Sequence, residues 1–346
     1  MNFKEGLKVV SLFDGIACTL QALKQLNLNI KEYHAFEIDK YAMKIAKKHH
    51  PEIIYHGEID FLTDFTEFKD IDLLVGGSPC QGFSYAGKKL NFNDPRSELF
   101  FEYARALKEI KPKHFLLENV KMKKAHSDVI TSYLGVEPVK INSSLLSAQN
   151  RLRNYWCNWK VYQPKDKGII LEDIIDEDDF LEDTKTFRDG INLNSNDNSP
   201  MIKVCNVHPS GKGINGIVYH VLGKSPTITT NKGEGPKITG ACVRGRKINP
   251  MTFKRDDKNP DLVLRQFIEK RKDRKSGTLT TFPKDNIILN GATYRKLNVR
   301  ECSKLQGLPD YYCKGVSSSQ GYKMLGNAFQ VDTIEFILNQ LLADYL

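Results

Sequence analysis

One cysteine, set beside two glycines and a proline, is the residue of this chain best suited to covalent chemistry. Cys80 lies in the stretch Gly-Gly-Ser-Pro-Cys-Gln at 76–81, directly after the apolar run at 71–75. Such a run predicts a buried strand, and ligands of open α/β sheets bind at the carboxyl ends of the strands. A cysteine thiolate is intrinsically nucleophilic, so it can attack an electron-poor carbon. Because a lone cysteine is more often a small core residue, the assignment depends on its neighbours.

A carboxyl group and two arginines accompany this cysteine. Glu118 follows the apolar run at 114–117, and Gln149, Arg151 and Arg153 come from Gln-Asn-Arg-Leu-Arg at 149–153. A nucleophile, a carboxyl group and two arginines at one sheet edge suit an electron-poor heterocycle as substrate.

Residues suited to an adenosine ligand follow the earlier strands. Gly15 stands between the first predicted strand and the first predicted helix, where glycine lets the backbone approach a ligand closely. The pattern G-x-G-x-x-G is absent, which argues against a dinucleotide and leaves other adenosine cofactors open. Glu37 ends the second predicted strand, where a carboxylate can hold a ribose hydroxyl pair, although a surface acid is an equal alternative. Glu58 and Ile59 follow the third strand, where they could meet an adenine ring.

Strands and helices alternate through the first 160 residues, which predicts a mostly parallel α/β sheet. The predicted strands are 7–13, 33–38, 53–55, 71–75 and 114–117, and the predicted helices are 19–26, 40–49 and 97–110. Each chemically interesting residue falls just after a strand, on the same edge.

The second half of the chain has a different pattern. Residues 188–200 are polar and turn-rich and predict a linker, and short β-like pieces follow to about 290. Two of these pieces, at 225–230 and 276–281, look alike and could be two similar hairpins. Helical periodicity returns at 298–305 and from 320 onward.

The distribution of charge indicates the kind of binding partner, and the cysteines indicate the cellular compartment. The 346 residues carry a formal charge of +9, and residues 203–275 hold 17 Lys and Arg against 6 Asp and Glu. Charge gathered in one segment is typical of phosphate binding, although a solubilising surface is the alternative. The seven cysteines include no C-x-x-C pair, which indicates thiols in a reducing compartment and no metal site. No secretory signal and no run of about 18 apolar residues is present, so we expect a cytoplasmic protein without a membrane segment.

These motifs, in this order, resemble the DNA (cytosine-5)-methyltransferase family of prokaryotic or phage type. The resemblance covers about residues 7–160 and 292–346, and Pro-Cys-Gln followed 38 residues later by Glu-Asn-Val is its most specific signal. The motifs that carry it are Ser-Leu-Phe-Asp-Gly at 11–15, Gly-Gly-Ser-Pro-Cys-Gln at 76–81, Glu-Asn-Val at 118–120, Gln-x-Arg-x-Arg at 149–153, Arg-x-Leu-x-x-Arg-Glu-Cys-x-x-Leu-Gln-Gly-Leu-Pro at 295–309 and Tyr-Lys-Met-Leu-Gly-Asn-Ala at 322–328.

The resemblance implies a reaction and roles for the catalytic residues. Cys80 would add to C6 of a cytosine, so that C5 can take a methyl group from S-adenosylmethionine. Glu118 would protonate or hydrogen-bond N3, and Arg153 would contact O2 of the base. Arg151 and Gln149 would brace the loop that carries Cys80. Since the target atoms lie within the duplex stack, the cytosine must flip out of double-stranded DNA.

The resemblance also implies cofactor and DNA contacts, without a metal. Residues 82–98 would form a basic lid that closes onto DNA. The implied cofactor-binding residues are Phe13, Asp14, Gly15, Ile16, Ala17, Glu37, Ile38, Glu58, Ile59, Pro79, Leu99, Asn327 and Ala328. The implied DNA-binding residues are Gln81, Ser84, Lys88, Lys89 and Arg96.

The expected architecture is a doubly wound, Rossmann-like methyltransferase sheet with a smaller, mostly β target-recognition domain. The predicted divisions are a catalytic and cofactor-binding domain at 1–165, a target-recognition domain at 166–291, and a segment at 292–346 that returns to the catalytic domain. We expect a monomer, and a cognate restriction endonuclease is left open as a partner. Three departures from the usual family pattern are Ala17 with Cys18 in place of small glycines, Glu58 in place of Asp, and Gln330 in place of Pro.

Two other functions compete with this interpretation. A tRNA-modifying enzyme of the same fold would carry Cys-Phe-Thr, and no cysteine here is followed by Phe-Thr. A catalytically dead DNA-binding homologue would typically lose the Pro-Cys cysteine or the cofactor loop, and both are intact here.

Overall fold

A computed structural model of the chain describes residues 5–59, 63–78, 95–175 and 297–343, together with the backbone of short strands between 185 and 296. Of residues 95–98 it describes the backbone alone. Cys80, its neighbours Pro79 and Gln81, and the predicted linker at 188–200 lie outside the described residues.

Up to β5 the described elements follow the order that the sequence predicts, whereas α4, β6 and β7 were not predicted. The helices are α1 (Cys18–Gln25), α2 (Lys40–His49), α3 (Pro95–Ile110), α4 (Lys124–Leu134), α5 (Val299–Leu305), α6 (Ser318–Asn327) and α7 (Val331–Ala343). The strands up to residue 157 are β1 (Leu7–Leu12), β2 (Ile30–Phe36), β3 (Ile54–Gly57), β4 (Leu73–Gly76), β5 (His114–Val120), β6 (Val139–Asn142) and β7 (Leu152–Cys157). The later strands are β8 (Lys185–Thr186), β9 (Lys203–Asn206), β10 (Ile217–His220), β11 (Thr227–Ile228), β12 (Lys237–Ile238), β13 (Ala241–Arg246), β14 (Arg265–Lys270), β15 (Gly277–Thr278), β16 (Ile287–Asn290) and β17 (Thr293–Lys296).

The first sheet has seven strands in the order β3-β2-β1-β4-β5-β7-β6. Strands β1 to β5 pair in parallel, and β7 runs antiparallel to both β5 and β6. The chain direction across the sheet reverses between β1 and β4. Ligands of doubly wound sheets bind at such a reversal, outside the carboxyl ends of the strands. The α/β fold predicted from the sequence is therefore confirmed.

The central strands of this sheet are apolar and buried, whereas the edge strand β3 is largely exposed. All four residues of β4 are buried, as are Leu7, Val9, Val10 and Leu12 of β1. A strand that is apolar on both sides is typical of parallel sheets. The charged helix α2 begins where the Asp39 carboxylate accepts hydrogen bonds from the amides of Tyr41 and Ala42, a side-chain cap of the helix amino terminus.

The chain divides into two compact units. The first contains residues 1–142, 152–164 and 328–346, and the second contains 143–151 and 165–327. The predicted divisions at 166 and 292 rest on composition and motifs rather than on compactness, and they stay a prediction. No described helix has the length and apolar character that crossing a bilayer requires.

Between 185 and 296 the described elements of the second unit are β-strands. They form an eight-stranded sheet, and β11 and β15 form a separate pair. Within the two similar segments, Thr227–Ile228 and Gly277–Thr278 pair with each other in parallel, with Thr227 beside Gly277. The rest of both segments lies outside the described residues, so the two similar hairpins stay a prediction. A mostly β region of the chain is thus confirmed.

Side chains connect the two C-terminal motifs of the second unit. Asn298 and Glu301 form a reciprocal capping box that starts α5. The Tyr322 hydroxyl donates to the carbonyl of Leu297 at 2.7 Å, and Gln306 Nε2 donates to the carbonyl of Leu325. These motif residues therefore hold the backbone that leads to Gly326 and Asn327.

Candidate active site

In the loop after β1, every second residue has a left-handed backbone conformation. Phe13, Gly15 and Ala17 have φ angles of 59°, 61° and 59°. A left-handed conformation costs an L-residue other than glycine roughly 1–2 kcal/mol, and such strain clusters at functional sites. A Cβ added to Gly15 would meet no atom within 4 Å. The loop is thus held in a strained shape with open space beside Gly15.

Hydrogen bonds from both neighbouring strands hold this loop. The Asp14 amide donates to the carbonyl of Phe36 at 3.1 Å, and the Gly15 amide donates to Glu37 Oε2 at 2.7 Å. The hydroxyls of Ser11 and Tyr33 both donate to Asp14 Oδ1 at 2.6 Å. Ser11 lies in the mostly apolar strand β1 and Tyr33 in the mixed strand β2, and sequence analysis assigned them no role. For Ser11 the signal that could have found it is a hydroxyl within an otherwise apolar run.

Glu37 joins the loops after β1 and β2. Besides the Gly15 amide, its carboxylate accepts the amides of Ile38 at 2.8 Å and Asp39 at 2.7 Å through Oε1. Three backbone donors take three of the roughly four acceptor positions of the carboxylate and fix its orientation, which leaves one position, on Oε2, for a hydroxyl group. This arrangement fits the ribose role that the sequence predicts.

The other predicted cofactor residues of the first unit vary in exposure. Ile38 is 69% exposed, an unusual position for a large apolar side chain and one that suits contact with a ligand. Glu58 is exposed, whereas Ile59 is buried within the core. Leu99 is partly buried against the same core, and Ile16 and Ala328 are buried. Their predicted contacts with a cofactor stay predictions, as does that of Asn327 in the second unit.

Glu118 and Arg153 form a buried ion pair at the junction of β5 and β7. Arg153 Nε lies 3.0 Å from Glu118 Oε1, and Arg153 Nη1 donates to the carbonyl of Leu152 at 3.0 Å. The pairing of Val120 with Arg153 in the antiparallel register brings the two strands together here. The planar guanidinium of Arg153 offers N–H donors beside the carboxyl group of Glu118. Such a set of polar groups can bind the polar edge of a flat heterocycle.

A side-chain hydrogen bond connects this pair to the stem of the Cys80 loop. Asn119 Nδ2 donates to Ser78 Oγ at 3.1 Å, and both residues are buried. Cys80 itself, with Pro79, lies outside the described residues. Ser78 and Asn119 lie inside recognised motifs, but sequence analysis gave them no separate role.

Gly77 accommodates an aromatic ring close to the same carboxylate. A Cβ added to Gly77 would lie 2.4 Å from Phe329 Cε1 and 3.5 Å from Glu118 Oε2. The residue must therefore be glycine for the Phe329 ring to pack there.

Gln149 and Arg151 belong to the second unit and are described there. Both are buried, and Arg151 Nη1 donates to the carbonyl of Gly326 at 3.4 Å. This contact joins the motif at 149–153 to the one at 322–328. Both side-chain polar atoms of Gln149 are buried without a hydrogen-bond partner among the described residues.

The predicted DNA-binding residues cannot be placed in the structure. Gln81, Ser84, Lys88 and Lys89 lie outside the described residues, and only the backbone of Arg96 is described, in α3. The side chains of the basic segment at 203–275 are likewise outside the described set.

The strand order and the loops at its carboxyl edge define an α/β protein of the Rossmann-like methyltransferase class. Among solved structures the chain is similar to a Schizosaccharomyces pombe protein titled "Crystal structure of S. pombe Dnmt2 methyltransferase". The TM-score is 0.57 at 16% identity, and the match covers 98% of this chain and 99% of that one. At this identity the likeness shows the fold alone.

Sequence comparison shows the family. The family model described as "C-5 cytosine-specific DNA methylase" matches residues 7–343. The chain is 30% identical to orphan methyltransferase M.SPRI of Bacillus phage SPR, over 98% of each chain. It is 26% identical to type II methyltransferase M.HhaI of Haemophilus parahaemolyticus, over 96% of this chain and 93% of that one. The chain therefore belongs to the C-5 cytosine-specific DNA methylase family and is a DNA (cytosine-5)-methyltransferase.

Proposed function

We propose that the protein methylates C5 of a flipped-out cytosine in a specific double-stranded DNA sequence, with S-adenosylmethionine as donor and Cys80 as nucleophile. The observation that carries the proposal is the buried Glu118–Arg153 pair, with Oε1 and Nε 3.0 Å apart. The adjacent residue Asn119 holds Ser78, two positions before Cys80 in the chain.

Cys80 begins the reaction and is released at its end. Its thiolate forms a bond to C6 of cytosine, the C5–C6 π pair shifts into the C4–C5 bond, and the C4–N3 π pair moves onto N3. The resulting enamine is nucleophilic at C5. After C5 has gained a methyl group, a base removes the C5 proton and the C6–S bond breaks. Cytosine alone is too poor a carbon nucleophile at C5, and the reversible thiolate bond supplies the missing electron density.

Glu118 and Arg153 act on the polar edge of the ring. Addition of the thiolate leaves negative charge on the ring, which a proton or hydrogen bond from Glu118 at N3 offsets. Arg153 donates to O2 of the base and keeps the carboxyl group of Glu118 in place through Nε. For Gln149 and Arg151 the support is the family resemblance.

The first loop and Glu37 hold the cofactor, because their polar atoms and open space fit an adenosyl amino acid. Glu37 binds a ribose hydroxyl, Ile38 packs against the adenine ring, and the space beside Gly15 receives the chain that joins ribose to the amino-acid moiety. Asp14 of this loop has a carboxylate oxygen, Oδ2, that is buried without a hydrogen-bond partner among the described residues. When bound, S-adenosylmethionine supplies an electrophilic methyl group.

DNA is held by the lid and the second unit in this proposal. Gln81, Ser84, Lys88, Lys89 and Arg96 contact phosphates and the space left by the flipped base, and the basic segment at 203–275 follows the duplex backbone. The support is the charge of that segment and the family resemblance. We propose a cytoplasmic monomer; type II and orphan enzymes both occur among the relatives, so the chain is compatible with a restriction partner or with none.

A mechanism-based trap tests the nucleophile. Methylation-sensitive sequencing of DNA from expressing cells first identifies the target, which is then synthesised with 5-fluorocytosine. Because fluorine cannot leave as a proton, wild-type enzyme should accumulate a covalent DNA complex that survives denaturing electrophoresis.

A second cysteine provides the matched control for this trap. The complex should be absent with Cys80→Ala and present with Cys157→Ala, because burial raises the pKa of the Cys157 thiol to about 11 and leaves it unreactive. Equal trapping by Cys80→Ala would assign the nucleophile elsewhere.

A further inference from the structure

Two aromatic rings pack against consecutive glycines at the end of β4, where the chain leaves the sheet toward Cys80. A Cβ added to Gly76 would lie 2.6 Å from Tyr103 Cδ2, and one added to Gly77 would lie 2.4 Å from Phe329 Cε1. Both distances are far below van der Waals contact, so only glycine lets the rings approach the backbone this closely. Because successive residues of an extended chain point to opposite faces, the two rings pack from opposite sides.

A third side of this segment, residues 76–78, which we call the stem, is held by β5. Strand β4 pairs in parallel with β5 up to Gly76, and Asn119 Nδ2 donates to Ser78 Oγ at 3.1 Å. Glu118 precedes Asn119 on β5, and its Oε2 would lie 3.5 Å from a Cβ on the second glycine of the stem. The stem is therefore held from three directions beside the carboxyl group that the proposed reaction uses.

Tyr103 brings a different element of the fold against the stem, because it belongs to α3. Its ring is fully buried in the core that also contains Leu12 and Leu74. Its hydroxyl is buried without a hydrogen-bond partner among the described residues, so the contact with the stem is made by the ring alone. Residues 77–94 connect β4 to α3 in the chain. Tyr103 thus packs the two ends of this connection against each other.

We propose that Tyr103 is a positioning residue for the nucleophile. With Phe329 on the opposite side, its ring fixes the stem and thereby the placement of Cys80 relative to Glu118 across the bound base. The inference rests on the proposed function, because it assumes that the thiolate adds to C6 while Glu118 acts at N3. Reacting groups must be held in a near-attack geometry, and a misplacement of about 1 Å costs up to about a hundredfold in rate. Loss of the Tyr103 ring should therefore slow the chemical step without weakening the binding of DNA.

The rate of trapping on 5-fluorocytosine DNA, measured at saturating DNA and S-adenosylmethionine, reports this step. Tyr103→Leu should lower the first-order rate of covalent complex formation about tenfold or more. Its dissociation constants for unmodified target DNA and for S-adenosylhomocysteine, the cofactor after methyl transfer, should stay within about twofold of the wild type. Tyr103→Phe keeps the ring and loses only a hydroxyl without a described partner, so its trapping rate should equal that of the wild type.

Phe100 provides a matched control on the same helix. Its ring is equally buried in the same core and meets the ring of Tyr133 on α4, with centroids 5.8 Å apart, whereas the side-chain atoms nearest to Gly76 belong to Tyr103. Phe100→Leu should lower the urea midpoint about as much as Tyr103→Leu, because both remove a buried aromatic ring. Its trapping rate should stay within about twofold of the wild type. An equal fall in trapping rate for both variants would mean that Tyr103 acts through stability alone, and would overturn the inference.

Gly76→Ala tests the same contact from the strand, and it decides the question if Tyr103→Leu does not fold. The added Cβ forces the ring or the stem to move, so trapping should slow about tenfold. In the Tyr103→Leu background the smaller side chain leaves room, so the added methyl group should cause a much smaller further loss.

The outcomes separate this inference from the proposed function. If the wild type forms no covalent complex with 5-fluorocytosine DNA, the proposed function fails together with this inference. If the wild type is trapped but Gly76→Ala or Tyr103→Leu is trapped at the same rate, this inference alone is overturned. It is also overturned if Tyr103→Leu loses as much DNA affinity as trapping rate.

Discussion

Arg153 Nε lies 3.0 Å from Glu118 Oε1, and each side chain is only about a tenth exposed, 10% and 9%. A carboxylate and a guanidinium that are removed from water together depend on each other. Removing one partner leaves a buried charge unpaired, which is costly. The pair therefore contributes to folding as well as to the proposed chemistry, and the two contributions can be separated by the choice of variant.

Arg153→Ala should lower the free energy of unfolding by about 3 kcal/mol and reduce methyl transfer more than tenfold. The loss follows from the unpaired Glu118 carboxylate, and urea denaturation of the purified variant measures it. Lys124→Ala is the control, since Lys124 and Asp128 form an exposed ion pair with Nζ and Oδ1 2.8 Å apart. Exposed pairs contribute little, so this variant should unfold like the wild type. Equal stability of the two variants would contradict the role of burial.

The local pattern predicted most strands, but it placed several ends of strands wrongly. The predicted strand at 114–117 continues to Val120, because Asn119 pairs with Asn154 and Val120 with Arg153 of β7. That partner lies more than thirty residues away, so no local pattern could reveal it. Similarly, β2 begins at Ile30 and not at Tyr33, because its polar first residues pair with β1. Lys40–His49, whose start Asp39 caps locally, has the predicted bounds.

In the site, too, the local pattern predicts some residues, whereas contacts between residues distant in the chain are not predicted. Glu37 and Gly15 could be predicted from their positions after strands, and they are joined at 2.7 Å. The contacts of Tyr33 with Asp14 and of Asn119 with Ser78 were missed, because each joins residues 19 and 41 positions apart. Motifs identify which residues take part in chemistry, whereas the residues that orient them become visible only in three dimensions.

The hydrogen bond from Asn119 to Ser78 should control turnover through the position of Cys80. Ser78→Ala should lower kcat about tenfold and leave the affinity for S-adenosylhomocysteine unchanged, because one lost hydrogen bond of about 1.4 kcal/mol corresponds to that factor. Single-turnover kinetics and calorimetry measure the two quantities. Ser132→Ala, which removes an exposed hydroxyl bonded within α4, should change neither. A fall in affinity equal to the fall in kcat would argue for general disruption of the site.

Two buried groups should give stability an unusual dependence on pH. Burial lowers the pKa of His50 to about 4, so between pH 6.5 and 4 the unfolded chain binds the extra proton and acid destabilises the fold. The pKa of Asp14 is raised to about 6, so between pH 6 and 4 the folded chain binds the extra proton and acid stabilises it. The two effects oppose each other in the same window.

Asp14→Asn should therefore make the free energy of unfolding fall more steeply on acidification from pH 6 to pH 4. The added slope against pH should be at most about that of one bound proton. His50→Gln should make it shallower. Urea denaturation at half-unit pH intervals measures both slopes. Parallel curves for Asp14→Asn and the wild type would show that Asp14 has an ordinary pKa in the folded protein.

DNA binding should depend steeply on salt, because residues 203–275 hold 17 basic against 6 acidic side chains. Each phosphate neutralised contributes about −0.9 to the slope of log affinity against log salt. Replacing Arg271, Lys272, Arg274 and Lys275 by Gln should flatten the slope, as measured by fluorescence anisotropy from 50 to 300 mM salt. The same number of Gln replacements on α2, at Lys40, Lys44, Lys47 and Lys48, should leave it unchanged. Equal slopes for both variants would place the DNA contact elsewhere.

Gly77 and Phe329 should prove energetically coupled, because a Cβ at position 77 would lie 2.4 Å from Phe329 Cε1. Gly77→Ala alone forces the ring or the backbone to move, and overpacking of this kind costs about 1–3 kcal/mol. It should also reduce kcat, since Glu118 Oε2 lies 3.5 Å from the position of the added Cβ.

A double-mutant cycle with Phe329 measures the coupling. Phe329→Leu alone should cost stability through lost packing. In the double variant the smaller Leu side chain leaves room for the added methyl group, so the two losses should sum to less than their separate values by at least about 0.5 kcal/mol. Urea denaturation of the four proteins gives the coupling free energy, and kcat for the same four reports whether Glu118 returns to its position. Strictly additive losses would mean that the ring does not pack against Gly77 in solution.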